Sequence, residues 1–246
     1  MGSNHQRDLQ GKRALVTGAT SGLGRAIALR LASDGAEVIV HGRDAGRGAE
    51  TVEAIRTTGG KASFVQADLG DAASVARLAE QVGQVDVLVN NAGFWVTGPT
   101  VGFDVASFDA MFAASVRAAF VLVAALAPGM VARGSGSIIN IGSMAGSIGL
   151  AGGAAYGATK AALGSLGQSW AAEYGPSGVR VNTVAAGPIY TRSDSREMFE
   201  TLGATTALKH ASQPEEIAEV VAFLASPRAS YVTGAIVAAD GGRTAI

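Results

Sequence analysis

Two side chains in one helical segment, with a third upstream of them, could bind a substrate oxygen and move a proton. Tyr156 and Lys160 stand four residues apart in the helical pattern of residues 154–174, so they share one helix face. An ammonium group so close favours the phenolate form of the tyrosine. Ser143 could hydrogen-bond the same substrate oxygen. A Tyr and a Lys at this spacing alone are usually a surface pair, so the catalytic interpretation depends on the rest of the chain.

A glycine-rich turn follows the first strand-like run. Gly18, Gly22 and Gly24 fall between the run 14–17 and a helical pattern over residues 22–33. The first glycine permits a tight turn, the second lets the backbone approach a pyrophosphate at the helix N-terminus, and the third allows close helix–strand packing. A turn that merely connects two elements is the alternative. In this strand–turn–helix context, the pattern predicts a dinucleotide site.

The end of the second strand indicates which dinucleotide is preferred, because the 2′ position of the adenosine ribose is read there. That strand ends in His41, Gly42, Arg43 and Asp44. Arg43 could pair with a 2′-phosphate, whereas Asp44 is better placed to cap the next helix. The sequence therefore favours NADP(H), with NAD(H) still possible. The alternative is that Arg43 is a solvated loop residue.

Short β-branched runs alternate with longer helical patterns along the whole chain. The strand-like runs are residues 14–17, 37–40, 63–67, 85–90, 137–142, 179–184 and 235–239. The helical patterns are residues 22–33, 44–57, 71–81, 107–133, 154–174 and 214–225. The alternation predicts a doubly wound Rossmann-type α/β fold, with a seven-stranded parallel sheet and helices on both faces. No linker interrupts it, so we expect one domain over residues 1–246, with residues 1–10 as a loose N-terminal segment.

Composition excludes several classes of function. The 246 residues carry a formal net charge of -1 and no basic patch with interleaved aromatics, which argues against nucleic acid as a partner. The absence of cysteine removes disulfides and thiolate metal sites and fits a reducing compartment, and the three scattered histidines predict no metal site. The N-terminus lacks a signal-peptide pattern, and the apolar stretch 118–132 is short for a membrane helix. We expect a cytoplasmic protein that does not bind membranes.

Taken in order along the chain, these motifs resemble those of the short-chain dehydrogenase/reductase family. The resemblance covers nearly the whole chain. It rests on the Thr17–Gly24 turn, Asn90-Asn91-Ala92-Gly93, Ser143, Tyr156-Gly157-Ala158-Thr159-Lys160, Tyr231-Val232-Thr233-Gly234 and Asp240-Gly241-Gly242. The family's NAD-preferring members have an Asp where this chain has Gly42, which agrees with the preference for NADP(H).

The resemblance implies cofactor contacts at the pyrophosphate, the adenine, the ribose and the nicotinamide carboxamide. In that order, the implied residues are Gly18, Ser21, Gly22, Leu23 and Gly24; Asp68 and Leu69; Asn90, Ala92 and Gly93; and Ile189 and Thr191. Tyr156 and Lys160 belong to both the cofactor-binding and the catalytic sets.

The resemblance also implies catalysis by Ser143, Tyr156 and Lys160, with Tyr156 giving its proton to the substrate oxygen as hydride arrives from the nicotinamide. Ser115 stands where the family usually has an Asn in its proton relay. The main-chain part of that role could persist at Ser115, but the amide side chain is lost. Ala186 replaces a usual Pro, from which we expect a looser loop over the cofactor.

The leading functional hypothesis is an NADP(H)-dependent oxidoreductase that interconverts a ketone or aldehyde and an alcohol. A 3-oxoacyl carrier-protein reductase is the alternative within this class, although an acidic carrier needs a basic docking patch and the segment 132–137 offers only Arg133. A non-catalytic dinucleotide-binding regulator is the alternative from another class. The expected substrate is a small, partly apolar carbonyl compound, with a wall formed by Phe94, Trp95, Met144 and Ile148 and a cap formed by residues 190–212.

Assembly is the last expectation from the sequence. The helical segments 107–133 and 154–174 carry more apolar surface than one sheet-facing stripe buries, and the resembled family uses these helices in a two-fold interface. The residues concerned are Phe112, Val116, Phe120, Val121, residues 123–126, Leu163, Leu166 and Trp170. We expect a homo-oligomer, most simply a tetramer. The alternative is that the same subunit covers this surface.

Overall fold

Seven parallel strands form one sheet in the computed structural model, which describes residues 7–191 and 196–246. The strands are β1 (Arg13–Val16), β2 (Glu37–Gly42), β3 (Lys61–Gln66), β4 (Val87–Asn90), β5 (Gly136–Ile141), β6 (Val179–Ala186) and β7 (Ile236–Ala239). Their order in the sheet is β3-β2-β1-β4-β5-β6-β7. The chain winds outward from β1 to one edge, returns to β4 and winds to the other edge. The predicted doubly wound sheet is confirmed.

Eight α-helices surround the sheet within the described residues. They are α1 (Gly22–Ser33), α2 (Ala45–Thr57), α3 (Ala72–Val82), α4 (Val105–Phe112), α5 (Ala118–Ala132), α6 (Ala154–Tyr174), α7 (Arg196–Ala204) and α8 (Pro214–Ala225). Aspartates begin three of them, because the carboxylates of Asp44, Asp71 and Asp104 accept N–H groups of the first turns of α2, α3 and α4. The backbone N–H of Arg47, which Asp44 accepts in this cap, lowers the pKa of the Asp44 carboxyl group and supports its assignment as a cap.

Alternate residues of the strands build two separate cores. Val16 and Val40 face one layer, where α1, α2 and α8 pack. Leu15 and Ile39, their neighbours in the strands, face the opposite layer, where α3, α5 and α6 pack. The strands are therefore apolar on both faces because each face meets a helical layer.

The region predicted as one helix over residues 107–133 differs from the prediction. It begins at Val105, and a π-helical turn over Ala113–Arg117 separates α4 from α5. The stretch Val105–Ala132 is long and apolar enough to span a membrane by length and composition alone, a test that core helices of soluble proteins also pass. Leu122, Leu126 and Met130 of α5 are buried in the core under the sheet.

Two further segments refine the expectations from sequence. Residues 1–6 of the expected loose N-terminus lie outside the described residues, but Leu9 is buried and its N–H donates to the Asp34 carbonyl at 3.0 Å. Leu9 is thus part of the core rather than of a loose tail. Ala186 ends β6 in register with Ala239, so the strand ladder reaches the beginning of the loop that was expected to be looser.

Candidate functional site

A cavity of about 740 Å³ opens at the carboxyl ends of the strands, where β1 and β4 lie side by side. Strands that leave this point run toward opposite edges of the sheet, and such switch points are where doubly wound folds bind ligands. Fifteen of the predicted site residues line the cavity: Gly18, Ser21, Gly22, Leu23, Gly24, Arg43, Asp68, Leu69, Ala92, Gly93, Ser143, Tyr156, Lys160, Ile189 and Thr191. The exceptions are Asn90 and Ser115.

The glycine turn has the geometry that a pyrophosphate requires. Gly18 and Gly22 have φ values of +66° and +50°, which side chains disfavour. Ser21 begins α1 in an extended conformation, and its hydroxyl makes no capping hydrogen bond. The first N–H groups of α1 therefore have no side-chain cap, and they can bind an anion together with the positive end of the helix dipole. The residues present fit a dinucleotide phosphate.

A hydroxyl group joins this turn to the loop after β4, a contact that the sequence analysis did not identify. Thr17 Oγ1 donates to the Val89 carbonyl and accepts the N–H groups of Asn91 and Ala92 at 2.9 and 3.0 Å. The Asn91 amide returns a hydrogen bond to the Thr17 carbonyl at 2.8 Å. The two walls of the cleft are thus held at a fixed separation. Only the position of Thr17 and Asn91 within the recognised motifs could have indicated it.

The end of β2 forms the outer wall of the cavity on the side that is predicted to hold the adenosine. Arg43 is exposed, and its guanidinium forms no ion pair within the described part of the chain. A Cβ atom at Gly42 would overlap the methyl group of Thr20 and lie 3.0 Å from the Thr20 hydroxyl oxygen. Position 42 therefore has no room for an acidic side chain while Thr20 keeps its place. Asp68 and Leu69 line the cavity beyond β3, with Leu69 buried.

Ser143, Tyr156 and Lys160 come together at the other end of the cavity. Ser143 follows β5, and its Oγ accepts the N–H of Ala145 at 3.2 Å. Tyr156 and Lys160 project from α6, and the Lys160 ammonium lies 5.6 Å from the centre of the tyrosine ring. That ammonium is buried and donates to the Ile141 carbonyl at 2.9 Å. One face of α6 thus presents both groups next to the end of β5.

Ser115 lies behind these residues, on the π-helical turn. It is buried, and its Oγ has no hydrogen-bond partner within the described residues. A Cβ atom at Gly93 would lie 2.9 Å from this Oγ and 3.7 Å from the Lys160 ammonium, so both groups lie next to Gly93. An unsatisfied buried hydroxyl beside a buried ammonium is a site where a water molecule gains hydrogen bonds. π-Helical turns often occur at functional sites.

Of the residues implied at the ribose and the nicotinamide, Asn90 does not line the cavity, whereas Ile189 and Thr191 do. Asn90 turns away from the cavity: it is buried, and its amide donates to Asn140 Oδ1 at 3.0 Å, which joins β4 to β5. Ile189 is buried and pairs with Ser212 across a bridge. Thr191 packs over the glycine turn, since a Cβ atom at Gly22 would lie 3.3 Å from the Cβ of Thr191.

The mouth of the cavity beside Tyr156 is apolar. The Trp95 ring meets the Tyr156 ring edge-on with 6.1 Å between centroids. The other apolar lining residues here include Phe94, Met144, Leu150, Phe199 and Leu202. Ile148, predicted as part of this wall, does not line the cavity. The last two lining residues come from α7, in the predicted capping segment, whose residues 192–195 lie outside the described part of the chain.

Comparison with known proteins agrees with this geometry. A family model described as enoyl-(acyl carrier protein) reductase matches residues 18–244. A cis-4-hydroxycyclohexanecarboxylate dehydrogenase of Sinomonas cyclohexanicum is 39% identical over 243 residues, covering 95% of this chain and 96% of that protein. A solved short chain dehydrogenase/reductase family protein is 51% identical, with a TM-score of 0.92 and coverage of 97% of this chain and 100% of the other.

A second solved structure includes a dinucleotide. It is a blue fluorescent protein from a metagenomic library in complex with NADPH, 39% identical, with a TM-score of 0.90 and coverage of 96% of this chain and 99% of the other. The match of fold, motifs and sequence over nearly the whole length leaves one assignment: the chain belongs to the short-chain dehydrogenase/reductase family and is an NAD(P)-dependent oxidoreductase.

Proposed function

We propose that this enzyme is an NADP(H)-dependent oxidoreductase that interconverts a ketone or aldehyde with an alcohol, with Ser143, Tyr156 and Lys160 as its catalytic residues. The observation that supports this most is their arrangement at one end of the dinucleotide cavity. Ser143 Oγ already accepts a backbone N–H, so its own proton is free to be donated to a substrate oxygen. Two hydroxyl donors can then meet one carbonyl oxygen.

The chain's own residues account for the proton chemistry. When bound, the nicotinamide supplies the hydride or accepts it. The Tyr156 hydroxyl donates its proton to the carbonyl oxygen as that oxygen gains negative charge, and it takes the proton back when an alcohol is oxidised. Ser143 holds the oxygen in place by a hydrogen bond. The Lys160 ammonium beside the phenol ring stabilises the phenolate that remains.

Ser115 completes the proposed catalytic set as a water-holding residue. Its buried hydroxyl faces the same interior space as the Lys160 ammonium, next to Gly93. A water held there can return a proton toward Lys160 and Tyr156 after each turnover. This role needs a hydrogen-bonding atom on the π-helical turn and does not need the longer amide that the resembled family carries.

The preference for NADP(H) rests on charge and space at the end of β2. Arg43 lines the cavity without an ion-pair partner among the described residues, whereas the neighbouring Arg47 pairs with Asp44 at 3.0 Å. Thr20 fills the space in which an acidic residue at position 42 would bind the ribose hydroxyls of NAD. A 2′-phosphate can therefore pair with the Arg43 guanidinium and meets no carboxylate at position 42.

Replacing Arg43 by alanine should narrow the preference for NADPH over NADH. A charge-assisted contact with a phosphate contributes roughly 1.5–3 kcal/mol. The dissociation constant of NADH divided by that of NADPH should therefore fall about 10- to 100-fold. Fluorescence titration of both cofactors against both proteins measures it. Arg77→Ala on α3 is the matched control and should change the ratio little, because Arg77 is an exposed arginine that does not line the cavity. An unchanged ratio in Arg43→Ala means that this residue does not bind the phosphate.

The apolar mouth supports a partly apolar ketone or secondary alcohol as substrate, with Phe94, Trp95 and Leu150 as its wall. The 3-oxoacyl carrier-protein alternative keeps some support from the description of the matching family model. However, Arg133 donates to the Val85 carbonyl at 2.6 Å. Val85 precedes β4, so Arg133 lies at the amino ends of the strands, whereas the cavity opens at their carboxyl ends. Arg133 cannot serve as a docking point for a carrier at the mouth.

Turnover with a panel of substrates tests the proposal. Loss of NADPH absorbance with cyclic and open-chain ketones supports it, and faster turnover of a carrier-linked 3-oxoacyl substrate favours the alternative. Binding of NADPH without turnover of any carbonyl compound or alcohol indicates a regulator.

We also propose the cytoplasm as the location of this enzyme, since the cysteine-free sequence fits a reducing compartment.

Assembly into a homotetramer remains part of the proposal, although fewer of the predicted apolar residues are exposed than the sequence indicated. Leu163 and Trp170, together with Val123 and Leu126, are buried within the chain, because α5 and α6 pack against each other and the sheet. The same subunit therefore covers them. Phe120 is different: it is 52% exposed, and its ring lies 6.3 Å from that of Trp170.

Phe120→Glu should dissociate the assembly. An exposed aromatic ring on the predicted two-fold face is removed from water by a second copy, and a carboxylate there would be buried without a partner. Light scattering at micromolar concentration should give four times the 24.6 kDa chain mass for the parent and a smaller mass for the variant. A parent of 24.6 kDa would refute the interface.

A further inference from the structure

His41 lies in the interior between the two parts of the adenosine site, although sequence reasoning gave it no role. It is 2% exposed, on β2, and its ring has a partner at each nitrogen. The Gly18 N–H donates to Nδ1 at 3.2 Å, and Nε2 lies 3.2 Å from the Ala67 carbonyl oxygen. The two contacts join residues that are far apart in sequence.

These partners determine the state of the ring. A carbonyl oxygen only accepts, so Nε2 must carry the hydrogen, and an N–H only donates, so Nδ1 must present its lone pair. The neutral Nε2–H tautomer is the one form that satisfies both. Burial supports this state by lowering the pKa of His41 to about 4, although the Ala67 contact and the Asp68 charge raise it.

The backbone reinforces the same connection. The Ala19 N–H donates to the His41 carbonyl at 2.8 Å, and the Ala67 N–H donates to the Gly42 carbonyl at 3.3 Å. Gly18 is the first glycine of the phosphate turn, and Ala67 directly precedes Asp68 and Leu69 on the adenine side. The end of β2 therefore fixes the distance between the group that holds the pyrophosphate and the wall beside the adenine.

We propose that His41 is a positioning residue for the adenosine half of the cofactor, which it serves by holding the glycine turn (the phosphate turn) and the loop after β3, residues 67–69, at a fixed separation. His41 lines the cavity wall but is only 2% exposed, and both of its nitrogens are used by Gly18 and Ala67, so the ring has no donor or acceptor left for the cofactor. The adenosine half is common to NADP(H) and NAD(H), so the inference does not depend on the proposed preference between the two cofactors or on the proposed catalytic residues.

Three substitutions separate the contacts. His41→Phe keeps a ring and removes both nitrogens, which leaves the half-buried Gly18 N–H without its acceptor. His41→Asn can offer an oxygen near the place of Nδ1, and His41→Gln can offer an N–H near the place of Nε2. We expect His41→Phe to raise the dissociation constants of NADPH and NADH about tenfold and by the same factor. Each amide variant should recover part of the loss.

A fragment and a kinetic comparison identify the positioning role. AMP, which carries only the adenosine half, should lose affinity by the same factor as the dinucleotides. At saturating NADPH, kcat and the KM for the carbonyl substrate should stay within about twofold of the parent, while the KM for NADPH rises. A general loss of stability would not produce this division.

Ser137→Ala is the matched control for destabilisation. Ser137 is buried on β5, and its hydroxyl donates to the Leu224 carbonyl at 3.1 Å, in contact with α8 and away from the cavity. It should lower the melting temperature without changing cofactor affinity. Parental cofactor affinity in His41→Phe would overturn the proposal, and so would equal losses of affinity in His41→Phe and Ser137→Ala. Should His41→Phe fail to fold, Asn and Gln variants that both bind AMP with parental affinity would also overturn it.

Discussion

Tyr156→Phe should lower kcat about a thousandfold or more while the dissociation constant of NADPH stays within about twofold of the parent. The substitution removes one oxygen, and with it the proposed proton donor, whose contribution in such reactions is typically 10²- to 10⁴-fold. The ring should stay in place, because Trp95 packs against it and the Lys160 ammonium lies beside it. The phosphate turn lies at the other end of the cavity and is unaffected.

Activity assays and NADPH fluorescence titration on the same preparations separate chemistry from binding. Tyr174→Phe is the matched control, because it makes the same chemical change on the same helix, at the end of α6 remote from Ser143. It should leave kcat unchanged. Activity of Tyr156→Phe within tenfold of the parent would remove Tyr156 from the mechanism, and equal losses of kcat and NADPH affinity would indicate a collapsed site instead.

The sheet was predictable because each strand carries its own signal. Runs such as residues 37–40 and 179–184 are rich in β-branched residues, and the structure extends them by only two residues, to Gly42 and Ala186. Right-handed connections between parallel strands leave few possible topologies. The position of the cavity then follows from the order of the strands, so the sequence also predicted that the glycine turn and the loop after β4 lie beside each other on it.

The elements that the sequence did not predict have no local signal. The π-helical turn at Ser115 lies inside a continuous helical pattern, and Gly93, which lies beside Ser115 in space, is distant in sequence. The nine-residue helix α7 buries only Gly203, and its few apolar side chains, Met198, Phe199 and Leu202, form too short a pattern to distinguish it from a loop. Polar contacts are similar: the ring of His41 is satisfied by residues 23 and 26 positions away.

The third glycine of the phosphate turn illustrates a constraint that is visible only in three dimensions. Gly24 does not have a positive φ, so the backbone conformation would accept a side chain. The obstacle is space, because a Cβ atom there would overlap the Gly18 carbonyl oxygen and lie 2.5 Å from Asn91 Nδ2. One neighbour is backbone of the phosphate turn, and the other is the amide that joins this turn to the loop after β4.

Gly24→Ala should therefore raise the dissociation constant of NADPH at least a hundredfold and lower the melting temperature, because α1 can make room only by moving away from the turn whose N–H groups are proposed to bind the pyrophosphate. Gly46→Ala is the matched control in the first turn of α2, where a Cβ atom meets only Asp44 Oδ1 at 3.4 Å, an ordinary contact. There the exchange should leave NADPH affinity unchanged and stabilise the fold by about 0.5–1 kcal/mol, since alanine loses less backbone entropy in a helix. Titration and thermal unfolding of the two variants measure both effects. A Gly24→Ala protein with parental affinity and parental stability would show that α1 and the turn need not pack this closely.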